Sequence, residues 1–369
     1  FEDNYPPFRV DENVYHDISR HVLEGTLYGA PDAPERAFPA GFPVVAAPFV
    51  ALFGTMGGYV ANLVIILTSL ALFYLILQRY GFRKRALALT LVAAFASLEW
   101  FYAVSNYSEP LAQLLVMAAL FLATVDTDSR RRLSALAVSG ICTGLLLFVR
   151  PHAVLVALPF LVYLGMKKGE RGLVFDRRVL LYAGGAAAVI VLWAGRNMAV
   201  FGSPLAFEYS RLVRSFAPGV TGNYMEGNIF LGIHRLFFDN YHGLFTITPV
   251  FLLFPAGLRA MWNRGLRGES LLLFGAASLV AFFVASGPYP FTEFGLGSRH
   301  MVPVALLFLI PTVFFLDGRF FSTAVVTVVA LYSFYQAGIG WFTGGEPGMG
   351  FFPGILNEAQ SRSIILARK

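Results

Sequence analysis

Long apolar blocks separated by short polar linkers run through most of this chain. They fall at about 56–79, 86–103, 109–125, 134–149, 151–165, 179–198, 243–262, 270–286, 300–316 and 320–341. An apolar stretch of roughly 18 residues or more can cross a bilayer as a helix. The pattern therefore predicts an all-α polytopic membrane protein with about ten transmembrane helices. The block at 151–165 is short, so it tilts or packs within the protein. The run VVAAPFVALFG, residues 44–54, is apolar but too short to span. It suits a helix lying along the membrane interface. Further upstream, DENVYHDISRHVLEG (11–25) reads as a short helix with Val14, Ile18 and Val22 at spacings of four on one face.

Composition supports the class. The chain is 57% hydrophobic and 14% charged, whereas an average soluble domain carries about 25% charged residues. The formal net charge of +6 is confined to short linkers, so it is no nucleic-acid signal. The single cysteine, Cys142, lies inside an apolar block and permits no disulfide within the chain.

Charge then sets orientation. The linkers QRYGFRKR (78–85), DTDSRRR (126–132), KKGERGLVFDRR (167–178) and NRGLRGE (263–269) are short and basic. The positive-inside rule makes them cytoplasmic. Residues 1–55, 104–108, 199–242, 287–299 and 342–369 then lie on the opposite side. Three regions follow: a first extracytoplasmic loop (1–55) with its interfacial helix, a transmembrane domain (56–341) with a long loop at 199–242, and a tail (342–369). An extracytoplasmic N-terminus of this length needs something to carry it across, so a further helix is expected before Phe1. The expected location is the cytoplasmic membrane, multi-pass, with the functional side facing the periplasm or exterior.

The unusual polar residues collect on that side. Asp11 and Glu12 open the first short helix, with His16, Asp17 and His21 behind them. Asp11 near an N-cap would accept bonds from free backbone N–H groups, which accounts for one acid but not two. A carboxylate facing a cavity also serves as a general base, or holds a divalent ion with other oxygens. Glu109, in SNYSEP (105–110), stands at a helix mouth before Pro110, where the helix dipole favours an acid. Arg299 and His300, in GSRHMVP (297–303), open another helix. Arg299 is either a phosphate ligand or an interfacial side chain reaching the headgroups. Arg150, in FVRPHAV, is a further cation, with Arg196, Arg211 and Arg214 as weaker candidates.

These elements occur in a recognisable order: the acidic DE before a helix, GFPVVAAPFVALFG (41–54), YSEP (107–110), RP (150–151), FGSPLAFEY (201–209) and GSRHMVPVALLFLIP (297–311). The order resembles the GT-C superfamily of membrane glycosyltransferases. The resemblance is to members similar to protein O-mannosyltransferases and the lipid A aminoarabinose transferase. It implies an inverting transfer of sugar from a polyprenyl-phosphate-linked donor to a hydroxyl of a glycan, lipid or protein acceptor. It also implies catalytic carboxylates at Asp11, with Glu12 beside it, and at Glu109. The donor phosphate would be bound by Arg299 and His300, with Arg150. Some relatives use a divalent ion such as Mg or Mn, which Asp11, Glu12 and Glu109 could hold. The large soluble C-terminal domain of some relatives is absent from this sequence. Two other readings stand beside this one: a lipid-carrier transporter or flippase, and a structural subunit of a membrane assembly derived from a transferase fold. A transporter should show internal repeats and mid-membrane polar residues, and neither stands out.

Overall fold

The structure, a computed structural model, describes residues 10–27, 38–124, 129–166, 176–206, 228–239, 243–287, 298–316 and 320–342. It is all-helical. The first half runs α1 (Val10–Leu23), α2 (Gly41–Phe53), α3 (Gly57–Arg79), α4 (Arg83–Phe95), α5 (Glu99–Ala103), α6 (Glu109–Ala123), α7 (Ser129–Val149) and α8 (Ala157–Gly165). The second half runs α9 (Arg177–Phe201), α10 (Ile229–Phe238), α11 (Leu244–Ile247), α12 (Phe254–Asn263), α13 (Arg267–Ser286), α14 (Val302–Leu309), α15 (Thr312–Phe315) and α16 (Phe320–Phe342). Short 3₁₀ turns sit at Gly54–Met56, Pro151–Val156, Pro249–Leu253 and Arg299–Met301.

Among the described residues, four helical stretches are long and apolar enough to cross a membrane: Gly41–Arg79, Arg132–Val149, Arg177–Phe201 and Arg267–Ser286. Other apolar blocks are divided. The block at 243–262 becomes α11, the turn Pro249–Leu253 and α12; the block at 300–316 becomes a turn, α14 and α15. Proline supplies the reason. It lacks an N–H and clashes with the preceding turn, so it is tolerated where a helix restarts and not where one continues. Pro110, Pro151, Pro249, Pro255 and Pro303 all stand in the first turn of the segment they open. Apolar length alone does not see these restarts.

One of two sequence expectations near the N-terminus changes. The run expected to lie along the interface forms α2, a separate 13-residue helix that ends at Gly54, whose backbone (φ 56°, ψ −133°) is not helical, before a 3₁₀ turn leads into α3. In α1 the buried positions are Glu12, Tyr15, Ile18 and Ser19, while Val14 and Val22 sit at the margins. The aromatic ring sets this rotation. Tyr15 meets Phe38 and Phe42 edge-on, with centroids 5.6 Å and 5.7 Å away, and a ring buries more area than a valine. The helix therefore turns its acid Glu12 inward.

Packing inside the bundle relies on small residues. Gly140 on α7 lies against Tyr182 O on α9, and Gly185 on α9 against Ala137 O on α7, so a side chain at either glycine would overlap backbone. Close approach of this kind drives helix pairing where no water is present to expel. Tyr182 adds a 2.9 Å bond to Thr143 across the same seam. Outward faces are apolar instead, as at Leu180, Val191 and Leu192 of α9.

The two ends of the bundle differ chemically. At one end Arg79 caps Phe121 O at 2.7 Å, and Arg264 lies over the rings of Phe82 and Phe314. At the other end lie the starts of α1, α6 and α14 and the close of α7. The long segment 199–242 is described only at its margins, where α9 ends and α10 forms behind an Asn228 N-cap. Arg211, Arg214 and the tail from 343 lie outside the described residues.

Candidate active site

Three local sequence features aim charged side chains at one point. Glu109 is the first residue of α6, followed by Pro110, so its carboxylate sits at the positive end of the helix dipole. Arg150 precedes Pro151, which forces its backbone out of the helical region, to φ −147° and ψ 91°. That ends α7 and turns the guanidinium toward Glu109. Arg299 opens the 3₁₀ turn ahead of α14, held in place where Ser298 Oγ donates to Leu236 O at 2.9 Å.

The result is a buried four-member cluster. Arg150 Nη2 donates to Glu109 Oε1, and both side chains are almost completely buried. Arg299 bridges the two acids: its Nη2 is 2.8 Å from Asp11 Oδ2, and its Nε is 3.5 Å from Glu109 Oε1. The second distance is an ion pair without hydrogen-bond geometry. Arg299 also faces the Tyr107 ring, 5.3 Å from its centroid. Two carboxylates and two guanidiniums thus balance in charge. Hydrogen bonding in the cluster is incomplete. Arg299 Nε and Nη1 are buried donors without a hydrogen-bond acceptor, and Glu109 Oε2 is a buried acceptor without a donor. Buried polar groups are normally satisfied, so these three atoms mark places for an anionic oxygen and for a donor.

Glu12 plays a different part from Asp11. Its Oε1 accepts from the backbone N–H of Asn106 at 3.0 Å and its Oε2 from Tyr59 at 3.2 Å. Asn106 Nδ2 returns to the Glu12 carbonyl at 2.7 Å. Glu12 therefore fastens α1 to the loop 104–108. Asp11, one position earlier, faces the cluster with its side chain 23% exposed. Helical geometry separates adjacent residues by about 100°, which is why neighbouring acids reach different surroundings.

Residues not singled out by the sequence reading hold this loop. Asn62 on α3 donates through Nδ2 to the carbonyls of Ser105 and Tyr107, each at 2.8 Å. Tyr15 and Ser108 share a 3.0 Å hydrogen bond. Burial raises the pKa of Tyr15, against the pull of Arg150, so the phenol keeps its proton. Burial also raises Tyr107, against Arg299. The polar run SNYS at a helix mouth was the available signal, since uncapped backbone there needs partners. Glu99, buried within an apolar block, accepts from Gln113 Nε2 at 2.6 Å.

Gly58 belongs to the same frame. A Cβ there would overlap Asn106 Oδ1. Asn106 is buried and its amide is engaged with Glu12, so it cannot move aside without losing that bond. Gly58→Ala is expected to destabilise the protein by about 1–3 kcal/mol and to loosen α1. Gly195, which has open space around it, is the control. Thermal unfolding in detergent should separate the two substitutions, and equal melting would contradict this role for Gly58.

The other candidates are placed as follows. His300 is half-buried; its ring meets His152 edge-on at 5.4 Å, and its carbonyl is 3.3 Å from His152 Nε2. It stands beside the cluster, one residue from Arg299. His21 pairs with Glu24 at 3.5 Å, away from the acids. His16 is partly buried, and burial lowers its pKa against the nearby Asp17, so the imidazole is neutral. Arg196 bonds its neighbour Asn197 and lies over Phe201. For a metal, Asp11, Glu12 and Glu109 are not gathered around one point: Arg299 bridges Asp11 and Glu109, and Glu12 holds Asn106 and Tyr59. No group of three or more His, Cys, Asp or Glu placed to hold a metal ion occurs among the described residues.

Comparison with protein-family models, with curated proteins and with solved structures finds no match to this chain.

Proposed function

We propose that this protein is an inverting glycosyltransferase of GT-C type. In this reading it moves a sugar from a polyprenyl-phosphate-linked donor to an acceptor hydroxyl, at the extracytoplasmic face of the cytoplasmic membrane. The observation that carries the reading is Arg299: a buried guanidinium that keeps Nη2 on the partly exposed Asp11 while Nε and Nη1 have no hydrogen-bond acceptor. A cation with unused donors beside an accessible carboxylate fits a reaction that needs both an anion site and a base.

The chemistry follows from those groups. The donor phosphate takes the unused N–H groups of Arg299, since guanidinium binds phosphate oxygens with directed bonds. The acceptor hydroxyl loses its proton to Asp11 as its oxygen bonds the anomeric carbon. The bond from that carbon to the phosphate oxygen breaks, and the electron pair leaves with polyprenyl phosphate. Arg299 stabilises the charge that develops on the leaving oxygen. Attack from the face opposite the phosphate inverts the anomeric centre. Glu109, through Arg150 and Arg299, positions the guanidinium, and His300 stands beside the phosphate. A divalent ion, if used, is outside this scheme, and no step here requires one.

The test is an assay of donor turnover in membranes, following release of polyprenyl phosphate from a labelled polyprenyl-phosphate sugar. Arg299→Gln is expected to lower turnover by roughly a hundredfold or more, with the loss in both donor KM and kcat. Donor that crosses the bilayer unchanged, without cleavage, would replace this reading with that of a lipid-carrier transporter. No turnover by the unaltered protein with any polyprenyl-phosphate sugar would overturn it.

A further inference from the structure

The opposite, basic end of the bundle carries a feature the transfer reaction does not use. A groove of about 530 Å³ runs between α4 and α16. Its floor includes Leu89, Val326 and Ala330, all buried. Its walls are Phe95, Leu331 and Phe334, each more than half exposed. Lys84 and Arg85, in the first turn of α4, close one end.

Length and charge together identify an occupant. From Lys84 to Phe95 a helix rises roughly 16 Å at about 1.5 Å per residue. That is close to the hydrocarbon depth of one leaflet, about 15 Å. An apolar channel of that length is filled by an acyl chain. The cations lie at the end where a headgroup would stand. Three basic residues, Arg83, Lys84 and Arg85, occupy the first turn of α4, with no acid in that turn and no side-chain cap. The helix dipole disfavours cations there, and α16 also has no acid in its first turn. Among the described residues no carboxylate pairs with Lys84 or Arg85. A bound anion would relieve this arrangement.

We propose that this groove is a binding site for an anionic glycerophospholipid, with one acyl chain along α4 and α16 and its phosphate on Lys84 and Arg85. The proposal is independent of the transfer reaction at the other end.

Native mass spectrometry of the full chain tests it, in micelles doped equally with dioleoyl phosphatidylglycerol and dioleoyl phosphatidylcholine. Phosphatidylglycerol should be retained roughly tenfold over phosphatidylcholine. Lys84→Gln with Arg85→Gln should remove that preference while leaving the melting temperature unchanged, because both side chains lie at the surface end of the helix. Ala330→Trp, which fills the groove, should lower retention of both lipids. Equal retention of the two lipids by the unaltered protein would overturn the proposal. Phosphatidylglycerol retention that ignores the double substitution would do the same. A lipid-free dimer abolished by Ala330→Trp would make the groove a contact between copies instead, and would also overturn it.

Discussion

Asp11→Asn is expected to lower sugar transfer by roughly a hundredfold to ten-thousandfold, the range that a positioned general base contributes, with the protein still folded. Asparagine keeps the shape of the side chain and removes the charge that accepts the proton. Stability should fall by about 1–3 kcal/mol, since asparagine leaves the nearly buried Arg299 without its aligned carboxylate, while Glu109 at 3.5 Å still offsets part of its charge. The informative comparison is Glu12→Gln. Glu12 accepts from Asn106 and Tyr59 rather than facing the open side of the cluster. Its substitution should therefore act on the docking of α1, seen as a lowered melting temperature and faster proteolysis, more than on the chemical step. The measurement is single-turnover transfer from a polyprenyl-phosphate sugar, made beside thermal unfolding of both variants. Full transfer by Asp11→Asn would end its role as base. Loss confined to Glu12→Gln would move that role one residue along.

Arg150→Met is expected to destabilise the protein by about 3–5 kcal/mol. Removing one partner of a buried ion pair strands the other charge, and here Glu109 is fully buried with Oε1 on Arg150. Arg299 is close, but it is shared with Asp11 and makes no aligned bond to Glu109. Adding Glu109→Gln to Arg150→Met should restore much of the stability, because no uncompensated charge then remains. Arg150→Lys should fall between, since lysine offers a point charge without the planar fork. Denaturant titration of the unaltered protein, Arg150→Met, Glu109→Gln and the double variant in one detergent supplies the double-mutant cycle. A double variant no more stable than Arg150→Met would show that the pair is not coupled in the way its geometry requires. The restored variant should still be inactive in transfer, which separates the fold from the chemistry.

Parts of this arrangement were legible in the chain and parts were not. Glu109 and Arg150 could be flagged because each stands beside a proline at a helix boundary, and prolines mark boundaries locally. The contact between them could not, because it joins two helices whose separation depends on the packing of α6 against α7. Glu12 and Asp11 could not be told apart either. Each is an acid in the first turn of a short helix, and only the rotation imposed by Tyr15 against Phe38 and Phe42 assigns one inward and the other to the cluster. Asn62 and Asn106 were silent because an asparagine near a helix mouth has many possible partners until the loop beside it is placed.

The sequence by itself determined the class of molecule. Apolar length and period act locally, so they specify helices and an apolar exterior without knowledge of neighbours. It also segregated charge, with basic linkers apart from the acids Asp11 and Glu109. Only the tertiary structure decided how many apolar blocks run as continuous long helices, because breaks such as the one at Pro249 depend on what packs around the restart. It alone decided that Arg299 bridges Asp11 and Glu109, and which donors it leaves unused. Contacts between segments so far apart in the chain arise from packing, and no local pattern encodes them.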